Sequence, residues 1–310
     1  MSYARGSPYS SAAMPTAHPA SPSTALRILL RSIGQIVLQA NAFTGAMLIA
    51  ALALTDLRLA CAALLGAAVA NLTAALSGAA HCDVEQGRHG FNGALAALAA
   101  VSFAPAPLAA LALAPSAALG AALVQRALRT PLAKWRQCPY SGPYIAVTAL
   151  WMPLVAVQHP IDAATSATLT PASIACALSS GIAQTTFAQG AWPAALIVAG
   201  IAAASRRAAA FALGGAIVSS VLLVAFGASG AAFDAGQLGV NGALAALALM
   251  SRGTRTALAA AALAALLQWL AMRAGLVALT APFALASWVT VAVARRFPFG
   301  ETDVVVRTPS

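Results

Sequence analysis

Long apolar runs, separated by arginines and by Pro or Gly, make up most of the chain between residues 26 and 297. About ten of these runs reach the roughly 20 residues that a membrane-spanning helix needs. The pattern of an outer-membrane barrel would instead be short segments of alternating polar and apolar residues. The chain therefore predicts an all-α polytopic membrane protein.

Composition supports this prediction, because hydrophobic residues make up 61% of the chain and charged residues only 8%. So few charges cannot cover a soluble surface of this size. The 17 basic residues lie between apolar runs, as at Arg206-Arg207 and Arg295-Arg296, which is typical of positive-inside topology. We therefore expect a multi-pass protein of the cell inner membrane that contacts membrane lipid and binds no nucleic acid.

The chemistry of an enzyme is not apparent in the sequence. Only seven acidic residues are present, and the four cysteines and four histidines lack the spacing of metal ligands. Phosphate-binding and nucleophile motifs are also missing. We expect no catalytic residues, no metal and no cofactor.

The chain repeats itself, since Gly90–Ala99 reads GFNGALAALA and Gly239–Ala248 reads GVNGALAALA. The two segments are 149 positions apart, and the same 149-residue offset relates Gln35 to Gln184. The repeat predicts a disordered N-terminal tail at 1–25, a first membrane repeat at 26–160, a linker at 161–172, a second membrane repeat at 173–297 and a C-terminal tail at 298–310. About five spanning helices and additional re-entrant half-helices in each repeat would insert the two halves in opposite orientations around a pore.

Some polar residues recur at matched positions within the apolar sequence. Gln35 and Gln184 could line a pore or form a hydrogen bond between packed helices. Asn92 and Asn241 stand between glycines, which favours capping of the helix that follows. Both pairs recur in the two halves, so we consider them candidates for a pore.

Two further matched pairs are less specific. Ser141 and Thr280 stand two residues before a proline, where a hydroxyl could repair the interrupted backbone or face a solute. Glu85 and Asp234 precede the repeated motif as loop acids or helix-start acids, and a vestibule that attracts polar solutes is the alternative.

These residues resemble three duplicated motifs of the urea transporter family, namely G-x-G-Q, G-[FY]-N-G-x-L and T-x-P-F-x-x-x-x-W. The likeness extends from about residue 26 to 297. The motifs stand here as Ile33-Gly34-Gln35, Gly90-Phe91-Asn92-Gly93-Ala94-Leu95 and Ser141-Gly142-Pro143-Tyr144 in the first half, and as Ile182-Ala183-Gln184, Gly239-Val240-Asn241-Gly242-Ala243-Leu244 and Thr280-Ala281-Pro282-Phe283 with Trp288 in the second.

The resemblance implies a homotrimer in which each protomer conducts urea by channel-like diffusion through its own pore. It assigns the substrate-binding roles in pairs: amide-binding ends of a filter to Gln35 and Gln184, slot walls to Leu38 and Phe187, and central hydroxyl acceptors to Ser141 and Thr280. The residues that we expect to support the pore are Phe91, Leu95, Leu244 and Phe283 together with Asn92, Asn241, Glu85 and Asp234.

The chain departs from the family pattern at both slots, because Asn-Asn-Pro follows neither Leu38 nor Phe187. Leu38 also replaces an expected Phe. Short amides or methylurea could then pass more readily. One alternative is a channel for another small neutral or amine solute, such as ammonia. The other is a membrane protein that does not transport, either an enzyme or an assembly subunit.

Overall fold

The computed structural model describes residues 21–104, 106–155 and 180–296, and every regular element within these ranges is a helix. This confirms the predicted all-α fold. The first group of helices comprises α1 Pro22–Gly34, α2 Ala42–Thr55, α3 Leu57–Leu76, α4 His81–Glu85, α5 Gly90–Phe103, α6 Pro107–Lys134 and α7 Gly142–Val155. The second comprises α8 Ala191–Ala204, α9 Arg206–Ala225, α10 Gly230–Asp234, α11 Val240–Leu249, α12 Thr254–Arg273 and α13 Ala281–Arg296, with 3₁₀ turns at Gln35–Val37, Gln184–Thr186 and Met250–Arg252.

Helices α3, α6, α9 and α12 are long and apolar enough to cross a membrane. Two further candidates are bent pairs: Pro22–Val37 meets α2 at 76°, and Ser180–Thr186 meets α8 at 83°. The described ranges therefore hold four candidate spans, or six if each bent pair is one span. Large apolar side chains such as Leu76 and Leu154 are exposed on the outside of the bundle, as expected of a surface solvated by lipid.

The order of helices in the first group, from the bent pair to α7, recurs in the second group from its bent pair to α13. The two groups pack against each other through α2 and α8. Between these helices the buried Thr44 hydroxyl donates a 2.8 Å hydrogen bond to the Gly200 carbonyl.

Small residues allow the helices to approach closely. A Cβ atom at Gly66 on α3 would lie 2.7 Å from the Cβ of Ala97 on α5, and one at Gly215 on α9 would lie 2.6 Å from that of Ala246 on α11. Lipid supplies no hydrophobic force between helices, so this close van der Waals packing has to hold them together. The abundance of Gly and Ala is thereby explained.

The domain boundaries predicted from the repeat remain predictions. Helix α1 begins at Pro22, where the Ser21 hydroxyl accepts a hydrogen bond from the Thr24 amide, so the expected boundary at residue 26 falls inside the first helix. The rest of the N-terminal tail, the linker at 161–172 and the C-terminal tail lie outside the described residues.

Candidate functional site

Both bent pairs turn at a residue in the left-handed backbone region. Leu38 has φ 59° and Phe187 has φ 62°, a conformation that is unfavourable for bulky side chains and is often found at functional sites. In the first half, the Asn41 side chain then caps α2 by accepting hydrogen bonds from the Phe43 and Thr44 amides. In the second half, Gly190 with φ 101° begins α8 instead. The two breaks therefore share a left-handed residue, but different residues precede the helix that follows each break.

The matched glutamines lie at the start of these breaks and make equivalent contacts. The Gln35 Nε2 donates to the Gln86 carbonyl at 3.1 Å, and the Gln184 Nε2 donates to the Ala235 carbonyl at 3.0 Å. Because the backbone carbonyl orients the amide nitrogen, the amide oxygen of each side chain is left as an acceptor. Such an oxygen can accept a hydrogen bond from an N–H group.

The prediction that Asn92 and Asn241 cap their own helices is wrong. Both lie inside a helix, and the residues before α5 and α11 make no side-chain cap. The Asn241 side chain instead accepts from the Phe283 amide at 3.0 Å and donates to the Leu279 carbonyl at 3.1 Å. It caps the neighbouring α13, because its position in the first turn of α11 faces the chain break before that helix.

Asn92 makes the corresponding contacts in the first half, with the Tyr140 carbonyl at 3.0 Å and the Tyr144 amide at 3.4 Å. Each asparagine also donates to a buried glutamine: Asn92 to Gln125 on α6 at 2.9 Å, and Asn241 to Gln268 on α12 at 3.0 Å. These hydrogen bonds hold the start of α7 in the first half and the start of α13 in the second. They explain why buried amides are present in apolar surroundings.

The hydroxyls of Ser141 and Thr280 meet where α7 and α13 begin. Their oxygen atoms are 2.7 Å apart, and both side chains are buried. The Thr280 hydroxyl also lies 3.4 Å from the phenolic oxygen of Tyr144. A hydroxyl carries one proton and two lone pairs, so acceptor capacity remains on this pair after the internal hydrogen bonds are made.

These hydroxyls line a constriction between the two halves with a cavity volume of about 10 Å³, which is room for about one water molecule. Most of the predicted residues meet there. Its wall consists of Gln35, Ile36, Leu38, Phe91, Leu95, Tyr140, Ser141, Thr185, Leu244, Thr280 and Phe283. Gln184 and Phe187 are not part of this wall; the Phe187 ring packs edge-on against Phe103, with 5.8 Å between centroids.

The constriction opens into a larger cavity of about 750 Å³, which we call the vestibule. Gln35, Leu38, Phe91 and Tyr140 line both spaces. The other charged and titratable lining residues of the vestibule are Asp83, Arg88, His89, Arg126 and Arg129 together with Cys138.

The matched acids do not occupy the predicted positions. Glu85 and Asp234 are the last residues of α4 and α10, so the dipole of a helix start cannot stabilise them. Glu85 lies 3.6 Å from His81, and Asp234 is exposed. The acid that lines the vestibule is Asp83, because it is two residues earlier in α4 and therefore on another face of the helix.

Sequence analysis missed the vestibule charges and the two buried glutamines. Gln125 and Gln268 are 143 positions apart, so a comparison at the 149-residue offset does not align them. A polar amide near the C-terminal end of a long apolar run is the signal that would have identified both.

One family model covers most of the chain. A search of curated proteins finds no match. The family model described as urea transporter matches residues 26–295, a range that contains both chain breaks, the asparagine contacts and the constriction. The chain therefore belongs to the urea transporter family.

Proposed function

We propose that the protein conducts urea passively through a pore in each protomer, and that this pore passes between Gln35, Ser141 and Thr280. The buried Ser141–Thr280 hydroxyl pair carries the proposal, because it places acceptor oxygens on the wall of a constriction that is otherwise largely apolar. Gln35 contributes an amide oxygen at the boundary with the vestibule.

The chemistry of urea suits such a wall. Urea is flat and neutral, with four N–H donors and one carbonyl acceptor, so a row of acceptor oxygens can replace its water. Apolar side chains such as Phe91 and Phe283 select for its flat shape. An ion would lose hydration that neutral acceptors repay only in part, and it should be excluded.

We also propose the orientation of the two halves, the membrane in which the protein resides and its assembly. The recurrence of elements supports two halves inserted in opposite orientations around the path. The distribution of arginine supports residence in the cell inner membrane, and the exposed apolar surface supports contact with lipid. A homotrimer rests on the family alone.

Flux measurements test the proposal. The purified chain would be reconstituted into liposomes, and light scattering would be followed after mixing with inward gradients of urea, acetamide, glycerol or ammonium. We expect urea to enter much faster than it enters empty liposomes, and ammonium to show no such increase. Urea entry equal to that of empty liposomes would refute a urea channel.

A second solute class, short amides, is favoured by Leu38. Its side chain lines both the constriction and the vestibule, and leucine is more flexible than the planar ring expected there. The constriction has room for about one water, so side chains must shift for any solute, and leucine can shift in several directions.

We therefore expect Leu38→Phe to narrow the path and to increase the permeability ratio of urea to acetamide and methylurea several-fold. The liposome assay above measures this ratio. The matched control is Leu48→Phe in α2, whose side chain is buried outside the constriction. An unchanged ratio in Leu38→Phe would show that Leu38 does not set the width of the path.

A further inference from the structure

The charged residues that line the vestibule belong to the first half, and they have no charged counterparts in the second half. Its wall carries three arginines, Arg88, Arg126 and Arg129, against the single carboxylate of Asp83. The corresponding residues of the second half are apolar or uncharged: Ala232, Gln237, Leu238, Trp269 and Met272 stand where the first half has Asp83, Arg88, His89, Arg126 and Arg129. Several of them fill their space, since Leu238 is fully buried and Trp269 packs against the same cluster.

The ion pairs of the vestibule leave positive charge unbalanced. One carboxylate oxygen of Asp83 lies 2.9 Å from the Arg88 guanidinium, and the other lies 3.0 Å from the Arg129 guanidinium. Arg126 lies one turn before Arg129 on the same face of α6 and has no acidic partner in the part of the chain that the structure describes. Three guanidinium groups against one carboxylate leave a net excess of two positive charges.

Other donors converge on this cavity. His89 immediately precedes α5, a half-helix of 14 residues whose first turn receives no side-chain cap, so its amide dipoles favour a negative group nearby. The His89 Nε2 atom is buried and has no hydrogen-bond partner among the described residues. The site therefore offers planar guanidinium groups, a ring nitrogen and a helix start, all of which bind oxyanions.

We propose that the vestibule binds a small oxyanion between Arg126, Arg129 and His89. The anion is either free in solution or the phosphate of an anionic lipid headgroup, because both present the same oxygen atoms to arginine. If the proposed function holds, a bound anion obstructs urea entry, since the vestibule shares Gln35 and Leu38 with the constriction.

The site also links binding to pH. Burial lowers the pKa of His89; the charges of Arg129 and Arg88 act in the same direction, and Asp83 opposes them. The other titratable or charged groups on the vestibule wall are Arg126, Cys138 and Tyr140. An anion beside the ring stabilises its protonated form, so binding should tighten as pH falls towards the pKa of His89.

Sulfate is a suitable probe because its charge does not change near neutral pH. Calorimetric titration of the full chain in maltoside detergent, at constant ionic strength maintained with chloride, should show saturable sulfate binding. We expect Arg126→Gln to weaken it at least tenfold. The control is Arg255→Gln, because Arg255 is also an exposed arginine of a long span but does not line the vestibule. Failure of sulfate to bind, or equal affinity in Arg126→Gln, would overturn the site.

The pH dependence has its own control. Sulfate affinity of the unmodified chain should increase as the pH falls from about 8 to about 5.5, a range that contains the ordinary pKa of histidine. This increase should disappear in His89→Gln. An identical increase in that variant would exclude His89 from the site.

Two further measurements identify the source of the bound anion and its effect on urea flux. In lipid nanodiscs, weaker sulfate affinity with phosphatidylglycerol than with phosphatidylcholine alone would identify the lipid phosphate as the competing ligand, and equal affinity would identify a free anion. Urea flux in sulfate, compared with chloride, should fall several-fold in the unmodified chain and remain unchanged in Arg126→Gln. Sulfate binding without any effect on flux would overturn the obstructing role, whereas sulfate binding by a chain that conducts no urea would refute only the proposed function.

Discussion

Replacing Thr280 with valine should reduce urea flux through the reconstituted protein about tenfold. Valine has nearly the same shape, so the buried packing at this position is retained, but the hydroxyl 2.7 Å from Ser141 is lost. Loss of one hydrogen-bond acceptor destabilises the bound solute by about 1–2 kcal/mol, and 1.4 kcal/mol corresponds to a factor of ten. The initial rate of urea entry, per protein molecule in the liposomes, measures the effect.

Two variants control this experiment. Thr148→Val removes another fully buried hydroxyl, on α7, which has no partner among the described residues and does not line the constriction. Its flux should equal that of the unmodified chain. Thr280→Ser keeps the hydroxyl and should retain most of the flux. If Thr280→Val conducts urea as fast as these controls do, the hydroxyl pair does not contact the solute.

Replacing Asn241 with leucine should destabilise the protein by roughly 3 kcal/mol or more. The change leaves three groups without partners: the Gln268 side-chain oxygen, the Leu279 carbonyl and the Phe283 amide. Each unsatisfied buried polar group costs roughly 1–3 kcal/mol. Because Leu279 directly precedes Thr280, the hydroxyl pair should also be displaced and urea flux lost.

The loss of stability can be measured as the fall in melting temperature of the detergent-purified protein. Asn71→Leu is the control: its side chain is half-buried and donates one hydrogen bond, to the Ser32 hydroxyl at 2.9 Å. We expect a clearly smaller fall for Asn71→Leu. Equal melting temperatures for Asn241→Leu and the unmodified chain would contradict the structural role of the asparagine contacts.

The fold could be predicted from sequence because lipid requires long uninterrupted apolar helices, and their breaks coincide with Gly, Pro and isolated amides. Ser141 and Thr280 could be matched across the repeat because each precedes a proline two residues on. The 2.7 Å contact between their hydroxyls was not predicted, because it joins residues 139 positions apart. The capping role of Asn241 was not predictable, because its partners Leu279 and Phe283 are about 40 residues away and local spacing favoured the helix that follows it.

The vestibule was missed for a different reason. A comparison of the two halves identifies residues that both retain, whereas Asp83 and His89 correspond to Ala232 and Leu238. The left-handed backbone at Leu38 and Phe187 was also hidden, since glycine is the residue that usually indicates such a conformation. Both residues end a 3₁₀ turn, where the Gln39 amide donates to the Gly34 carbonyl and the Ala188 amide to the Ala183 carbonyl. This pattern closes a helix end, and no glycine at either position indicates it.

The most direct test of the urea path is to locate a bound solute. Crystals of the full chain soaked with selenourea would show the selenium atom by anomalous scattering. The proposed path predicts a peak within hydrogen-bonding reach of Gln35 or of the Ser141–Thr280 hydroxyl pair. A peak confined to another part of the protein, in a preparation that conducts urea, would contradict the proposed path.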